Sequence, residues 1–147
     1  NGIAYLHMPE LGGRRKARAD SGNTAWRNEQ FRADADYMAT DEFRTAIDKV
    51  VALTGVGDRV SGVGEERAAL RSPTPDSRHP TPLSIMCAEA VPWRCHRNLV
   101  ADELMRRGIE VLHTIGPAAP KTHVMNPHAV IESDHLVYPA VQQTLRL

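Results

Sequence analysis

Between Leu83 and Ile115 the chain carries the pattern that most narrows what it can fold into. Leu83-Ser84-Ile85-Met86 reads as a buried strand entered from a proline-rich loop. Asn98 to Arg107 reads as an amphipathic helix, because Val100, Ala101, Leu104 and Met105 fall at the i, i+1, i+4, i+5 spacing of one face. Gly108 supplies the stop just past its end, with Arg106 and Arg107 in the last turn. Ile109 to Ile115 then reads as a second short strand. Strand, loop, helix, strand is a βαβ unit, and such crossovers are right-handed. The expectation is an α/β chain: a small, mostly parallel sheet flanked by helices in a single domain. Leu83–Cys87 would be its central strand and Ile109–Ile115 the neighbour.

In open α/β sheets, ligands bind where the carboxyl end of a strand feeds a helix N-terminus. The loop at that place runs Cys87-Ala88-Glu89-Ala90-Val91-Pro92-Trp93-Arg94-Cys95-His96-Arg97 and holds both cysteines of the chain. Cys95 lies at a helix start, where the dipole and the neighbouring Arg94 and Arg97 favour a thiolate near neutral pH. Glu89 is placed in sequence to orient His96 or to accept a proton. Cys87 ends an apolar strand and reads as a small buried residue. The candidate catalytic residues are therefore Cys95, His96 and Glu89. Free amide groups at the helix start, with Arg94 or Arg97, would make an anion site. A second basic run, Arg14-Arg15-Lys16, follows Gly12-Gly13. Glycine lets backbone approach a ligand closely, and arginine forks bind oxyanions, so Arg14 and Arg15 join Arg94 and Arg97 as candidate ligand-binding residues.

Other chemistries fit the spacing less well. A phosphatase-like or rhodanese-like cradle needs Cys-x5-Arg, and Arg94 lies one position too late after Cys87. Zinc would need Cys87, Cys95, His96 and His113 to fold together, and their spacing is not that of a zinc knuckle or finger, so no metal ligand is assigned and no cofactor is named. A Cys87–Cys95 disulfide is geometrically open but disfavoured in a reducing compartment. The plain structural alternative is a helix-capping cluster with ion pairs to acidic neighbours.

The run Cys87-Ala88-Glu89, then Cys95-His96-Arg97, then Arg107-Gly108-Ile109-Glu110-Val111 and His113-Thr114-Ile115, resembles the core signature of the DUF488 family, a prokaryotic family of unknown function. Ile3-Ala4-Tyr5-Leu6-His7-Met8-Pro9-Glu10-Leu11-Gly12-Gly13-Arg14-Arg15 and Phe31-Arg32-Ala33-Asp34-Ala35-Asp36-Tyr37-Met38 resemble two further segments of it. The likeness runs from Ile3 to about Tyr138 and implies a fold and a set of family residues, not a reaction. Family members usually open with a strand, a helix and a further strand that are not found here. The chain starts at Asn1 without Met, and the expectation is a fragment or a processed product.

The remaining segments are read from local pattern. Ile3 to Met8 is a short strand, followed by a loop. Trp26 to Met38 is a helix capped by Asn23 or Thr24, with Trp26, Gln30, Ala33 and Tyr37 on one face. Thr40 caps a second helix with Asp41 and Glu42 in its first turn, an apolar stripe of Phe43, Ala46, Ile47, Val50 and Val51, and Gly55 at its end. Residues 56–82 form a mobile insertion, rich in Gly, Ser and Pro. Gly116 to Pro127 is a loop, and Ala129 to Pro139 a hairpin turning at Ser133-Asp134, whose histidines read as surface polarity.

Composition sets outer bounds. Eighteen basic residues balance eighteen acidic ones, so no overall field draws in nucleic acid. Aromatics make up 5%, too few for a stacking platform on single strands. The longest apolar runs are far too short to span a bilayer, so no membrane partner is expected. Two cysteines without a signal-like segment suggest a cytoplasmic protein. Three functions remain: an enzyme acting on a phosphorylated or otherwise anionic ligand, a small molecule, nucleotide or nucleic acid; a non-catalytic module binding through the same basic pocket; and a thiol-based redox or metal sensor.

Overall fold

The computed structural model of the chain describes residues 3–55, 82–89 and 95–140. One of its helices starts as the local chemistry requires. The Thr40 hydroxyl accepts a hydrogen bond from the Phe43 amide at 3.3 Å, and Asp41 and Glu42 sit at the positive end of the dipole. This helix, α2, spans Asp41–Thr54 and ends at Gly55, whose φ of 70° is left-handed. A side chain there would be strained, so glycine is the natural stop.

The preceding helix, α1, spans Glu29–Met38. It starts later than the apolar spacing suggests, with the Asn28 side chain accepting from the Gln30 amide at 2.8 Å. Asn23 and Thr24 are not its caps. They reach across to the far end of the described chain instead. The Tyr138 amide donates to the Asn23 side-chain oxygen at 2.8 Å, and the Ala140 amide donates to the Thr24 hydroxyl at 2.9 Å. The third helix, α3, spans Arg97–Arg106. Gly108, at φ 76°, donates to the Met105 carbonyl while the Ile109 amide donates to Leu104, which is the paired closure of a Schellman motif.

The three helices pack around one apolar cluster. α1 contributes Ala35 and Met38, α2 contributes Phe43, Ala46, Ile47 and Val50, and α3 contributes Leu99, Val100 and Leu104. Leu11 enters from a single 3₁₀ turn at Pro9–Leu11. α2 and α3 are also tied at the surface, where Arg107 pairs with Asp48 of α2 and Glu103 of its own helix.

Among the described residues, four short strands complete the fold. β1 (Leu112–His113) pairs antiparallel with β2 (Lys121–Thr122), and β3 (Val130–Glu132) pairs antiparallel with β4 (His135–Val137). The β3–β4 hairpin turns where expected. Ser133 and Asp134 both take positive φ, 45° and 71°, the combination of a type I′ turn. Leu136 and Tyr138 carry this hairpin into the core.

The mostly parallel sheet is not found: among the described residues the structure is mixed α/β with two small antiparallel sheets. Ile109–Ile115 gives only the two paired residues of β1, and their partner lies a few residues downstream. Closing so short a loop costs less chain entropy than a helix crossover. Leu83–Cys87 finds no ladder partner among the described residues, and Leu83 and Met86 stand exposed. Ile3–Met8 forms no strand either, and most of it is exposed. Residues 56–81, most of the expected insertion, lie outside the described residues. Among the described residues, no helix is long and apolar enough to cross a membrane.

Ile47 is fully buried at the centre of the cluster. Ile47→Ala should cost about 2–5 kcal/mol through lost transfer energy and the cavity left behind. Urea denaturation should show this as a lower midpoint with an unchanged slope.

Candidate functional site

The turn into α3 gathers its reactive groups tightly. Cys95 is buried, and His96 and Arg97 follow as the helix begins. The sulfurs of Cys87 and Cys95 and a ring nitrogen of His96 all lie within 4.8 Å of one another. Both cysteines are free thiols. The Arg97 backbone amide and its Nε both approach the Cys95 sulfur, at 3.4 and 3.3 Å. Its Nη2 donates to the Glu89 carbonyl, which ties the two ends of the turn together.

His96 is held from a second side by the loop after the 3₁₀ turn. A side-chain carbon added at Gly13 would meet His96 Nδ1 at 2.8 Å and an Asp34 carboxylate oxygen at 3.3 Å. Gly13 is therefore the residue that lets backbone lie against the imidazole. Asp34, buried on α1, faces the same place, where Gln30 donates to its carboxylate at 3.1 Å. Burial pushes the Asp34 carboxyl up from its ordinary value.

The sequence-derived candidates divide as follows. Cys95, His96 and Arg97 meet in one place, with Cys87 added. Glu89 is exposed and engages Arg97 through its backbone carbonyl. Arg15 is packed away: its guanidinium lies 3.2 Å from the Tyr37 ring centre, and its Nη2 donates to the Glu10 carbonyl. Arg14 is exposed, in a left-handed conformation at φ 69°. Arg94 lies outside the described residues. Cys95 is not the low-pKa thiol expected from its helix position. Burial pushes it up, and the neighbouring Cys87 adds to this, while the Arg97 donors pull the other way. Desolvation outweighs the dipole here because the sulfur is almost wholly enclosed.

A second polar cluster was not anticipated. Asp102, on α3, has no solvent exposure. Its carboxylate accepts from the Asn126 amide at 3.0 Å and from the Tyr138 hydroxyl at 3.0 Å, and lies 2.8 Å from His123 Nε2. His123 Nδ1 lies 2.9 Å from His113 Nε2. His123 is buried. The sequence holds no local signal for this cluster, since Asp102, His123 and Tyr138 sit on three separate segments. Asp102 lies nearly opposite Val100 on α3, outside the apolar face, so amphipathic spacing does not mark it.

Two histidines carry a stability prediction. Burial is the first cause lowering His96, with Arg97 and Arg15 adding to it against Asp34, and burial also lowers His113, helped by His123 and Arg97. A base lowered in the folded state leaves the unfolded chain to take protons first. Stability is then full above the unfolded value of about 6.5 and falls as pH drops below it. Thermal melts of metal-free protein should show Tm declining over that window, and His96→Gln should flatten the decline. A Tm that is level or rises there would contradict it.

No curated protein and no solved structure matches the chain. Residues 1–68 match the family model described as "Domain of unknown function DUF488". The matched residues include the Gly12-Gly13 loop, α1 and α2, whereas the Cys-His-Arg turn and α3 lie beyond them. This match supports the assignment of the chain to the DUF488 family.

Proposed function

We propose that the protein works through its paired thiols, as a metal-binding module or sensor in which Cys87, Cys95 and His96 hold one soft divalent ion. The observation that carries this reading is the approach of two sulfurs and one imidazole nitrogen to within 4.8 Å of one another. Two thiolates and an imidazole suit zinc, which takes four ligands, so a Cys₂His set leaves one position for water or a ligand. The enclosed setting of Cys95 suits this role better than that of a free nucleophile. A metal displaces the thiol proton outright, whereas an unaided buried thiol holds it. Arg97, donating to the Cys95 sulfur, would tune the ligand as outer-sphere donors do. Gly13 and Asp34 against His96 would hold the imidazole in place.

An anion site at the same helix start draws less support. Arg97 spends its Nε on Cys95 and its Nη2 on Glu89, and Arg15 is committed to Tyr37. The closeness of the two sulfurs also favours a reversible Cys87–Cys95 disulfide as the redox form of the same module.

Cobalt(II) added to reduced protein should give a strong thiolate-to-metal charge-transfer band and the visible bands of a four-coordinate site. Cys87→Ser, Cys95→Ser and His96→Asn should each weaken binding at least about tenfold, since a lost ligand costs more than a lost outer partner. No charge-transfer band, or a band unchanged in Cys87→Ser, would overturn the reading. Loss of two hydrogens by intact mass under mild oxidant, without metal affinity, would instead favour the disulfide.

A further inference from the structure

A groove of about 640 Å³ lies between the Leu83–Ile85 segment, α3 and the Ile109–Ile115 segment. That volume is within the usual range for small-molecule sites. Its walls are largely apolar, with Leu83, Ile85, Leu104 and Val111 among them, and the ionisable residues Arg97, Glu110 and His113 also line it. Neither the thiol pair nor His96 is part of its lining.

The buried cluster behind His113 fixes that imidazole in one form. The Asp102 carboxylate can only accept, so His123 Nε2 carries the proton between them. With His123 neutral, its Nδ1 keeps the lone pair and His113 Nε2 donates to it. By elimination His113 Nδ1 holds a free lone pair. It has no hydrogen-bond partner among the described residues, and it is the ring nitrogen left for the groove. Asp102 is itself held by Asn126 and Tyr138, so the relay is anchored at its buried end. A base oriented by a second group that is in turn fixed by a carboxylate is the arrangement general-base sites share. Arg97 commits its Nε and Nη2, and its Nη1 has no partner among the described residues.

We propose that this groove is a general-base ligand site for a small organic anion with an apolar body and a nearby hydroxyl group. Arg97 Nη1 takes the anionic group, the apolar walls take the body, and His113 Nδ1 takes the hydroxyl proton. In that transfer the ligand oxygen keeps the bonding electron pair and the proton moves to Nδ1. The positive charge gained by His113 is countered along the relay by the Asp102 carboxylate. The neutral state that burial favours for His113 leaves it able to accept. This site shares Arg97 with the thiol cluster but uses its remaining Nη1, and its base, His113, is no part of that cluster.

Long-range proton–nitrogen spectra of protein labelled at histidine nitrogens read the tautomer directly. His113 should carry its proton on Nε2, with Nδ1 bare. In protein labelled at both histidine and arginine side-chain nitrogens, titration with 3-hydroxybenzoate should shift the His113 Nδ1 and Arg97 Nε signals saturably. Benzoate, with the same ring and carboxylate but no hydroxyl, should bind about fivefold more weakly, the size of one net hydrogen bond. Arg97→Gln should weaken both about tenfold, as for a lost hydrogen bond to a charged group. A His113 protonated on Nδ1, equal affinity for the two benzoates, or no saturable shift with either would overturn the proposal. The tautomer and the affinity ratio are measured on the unaltered protein, so a variant that fails to fold does not blunt the test.

Discussion

The arrangement of α3, the β1–β2 pair and the β3–β4 hairpin depends on the burial of one carboxylate, Asp102. Taking an ionised carboxylate wholly out of water costs several kcal/mol unless its lone pairs are filled. Asp102 sits on α3, and its partners come from outside that helix: His123 and the Asn126 amide from the segment after β2, and the Tyr138 hydroxyl from just past β4. Removing any one of them would leave a charged acceptor short of donors. The carboxylate therefore dictates where two otherwise weak β elements must lie. This explains how strands of two or three residues keep a fixed place against the helices.

A second buried carboxylate does the same at the other side of the core. Asp36, on α1, accepts from the Arg18 amide, the Ser21 hydroxyl and the Asn23 side chain. Asn23 in turn receives the Tyr138 amide. The two carboxylates are thus joined by a continuous run of hydrogen bonds through Asn23 and Tyr138. Apolar contact among the three helices supplies most of the driving force, but it is non-directional. The polar run sets which loop lies where, and with it the position of His113 at the groove and of the Gly13 loop over His96.

How much of this was legible in the sequence follows the range of the interactions. α2, its Thr40 cap and its Gly55 stop depend on residues within a turn of one another, and local pattern suffices for them. The same holds for the Gly108 closure of α3 and for the Ser133-Asp134 turn. The sheet did not follow, because strand pairing depends on a partner that apolar content cannot name. Leu83–Cys87 has the composition of a buried strand yet no ladder. At the site, the gathering of Cys95, His96 and Arg97 was visible because they are consecutive. The approach of Cys87 was not, since sequence separation alone does not fix the distance between two thiols. The fate of Arg15 depended on Tyr37, and the thiol's chemistry on its enclosure, and neither is encoded in spacing.

The bonds between Asn23, Thr24 and the Tyr138–Ala140 segment link residues more than a hundred positions apart. Contacts of such sequence separation slow folding, because the chain must close a long loop before they stabilise anything. They also bear on synthesis. During vectorial emergence from the ribosome, α1 and α2 are complete long before Tyr138 appears. Until then Asn23 has no backbone donor to receive, Asp102 lacks its phenolic partner, and the apolar face that Leu136 and Tyr138 cover stays open to water. The chain must therefore pass through a nascent state with an exposed core and unfilled buried acceptors, a state suited to chaperone capture.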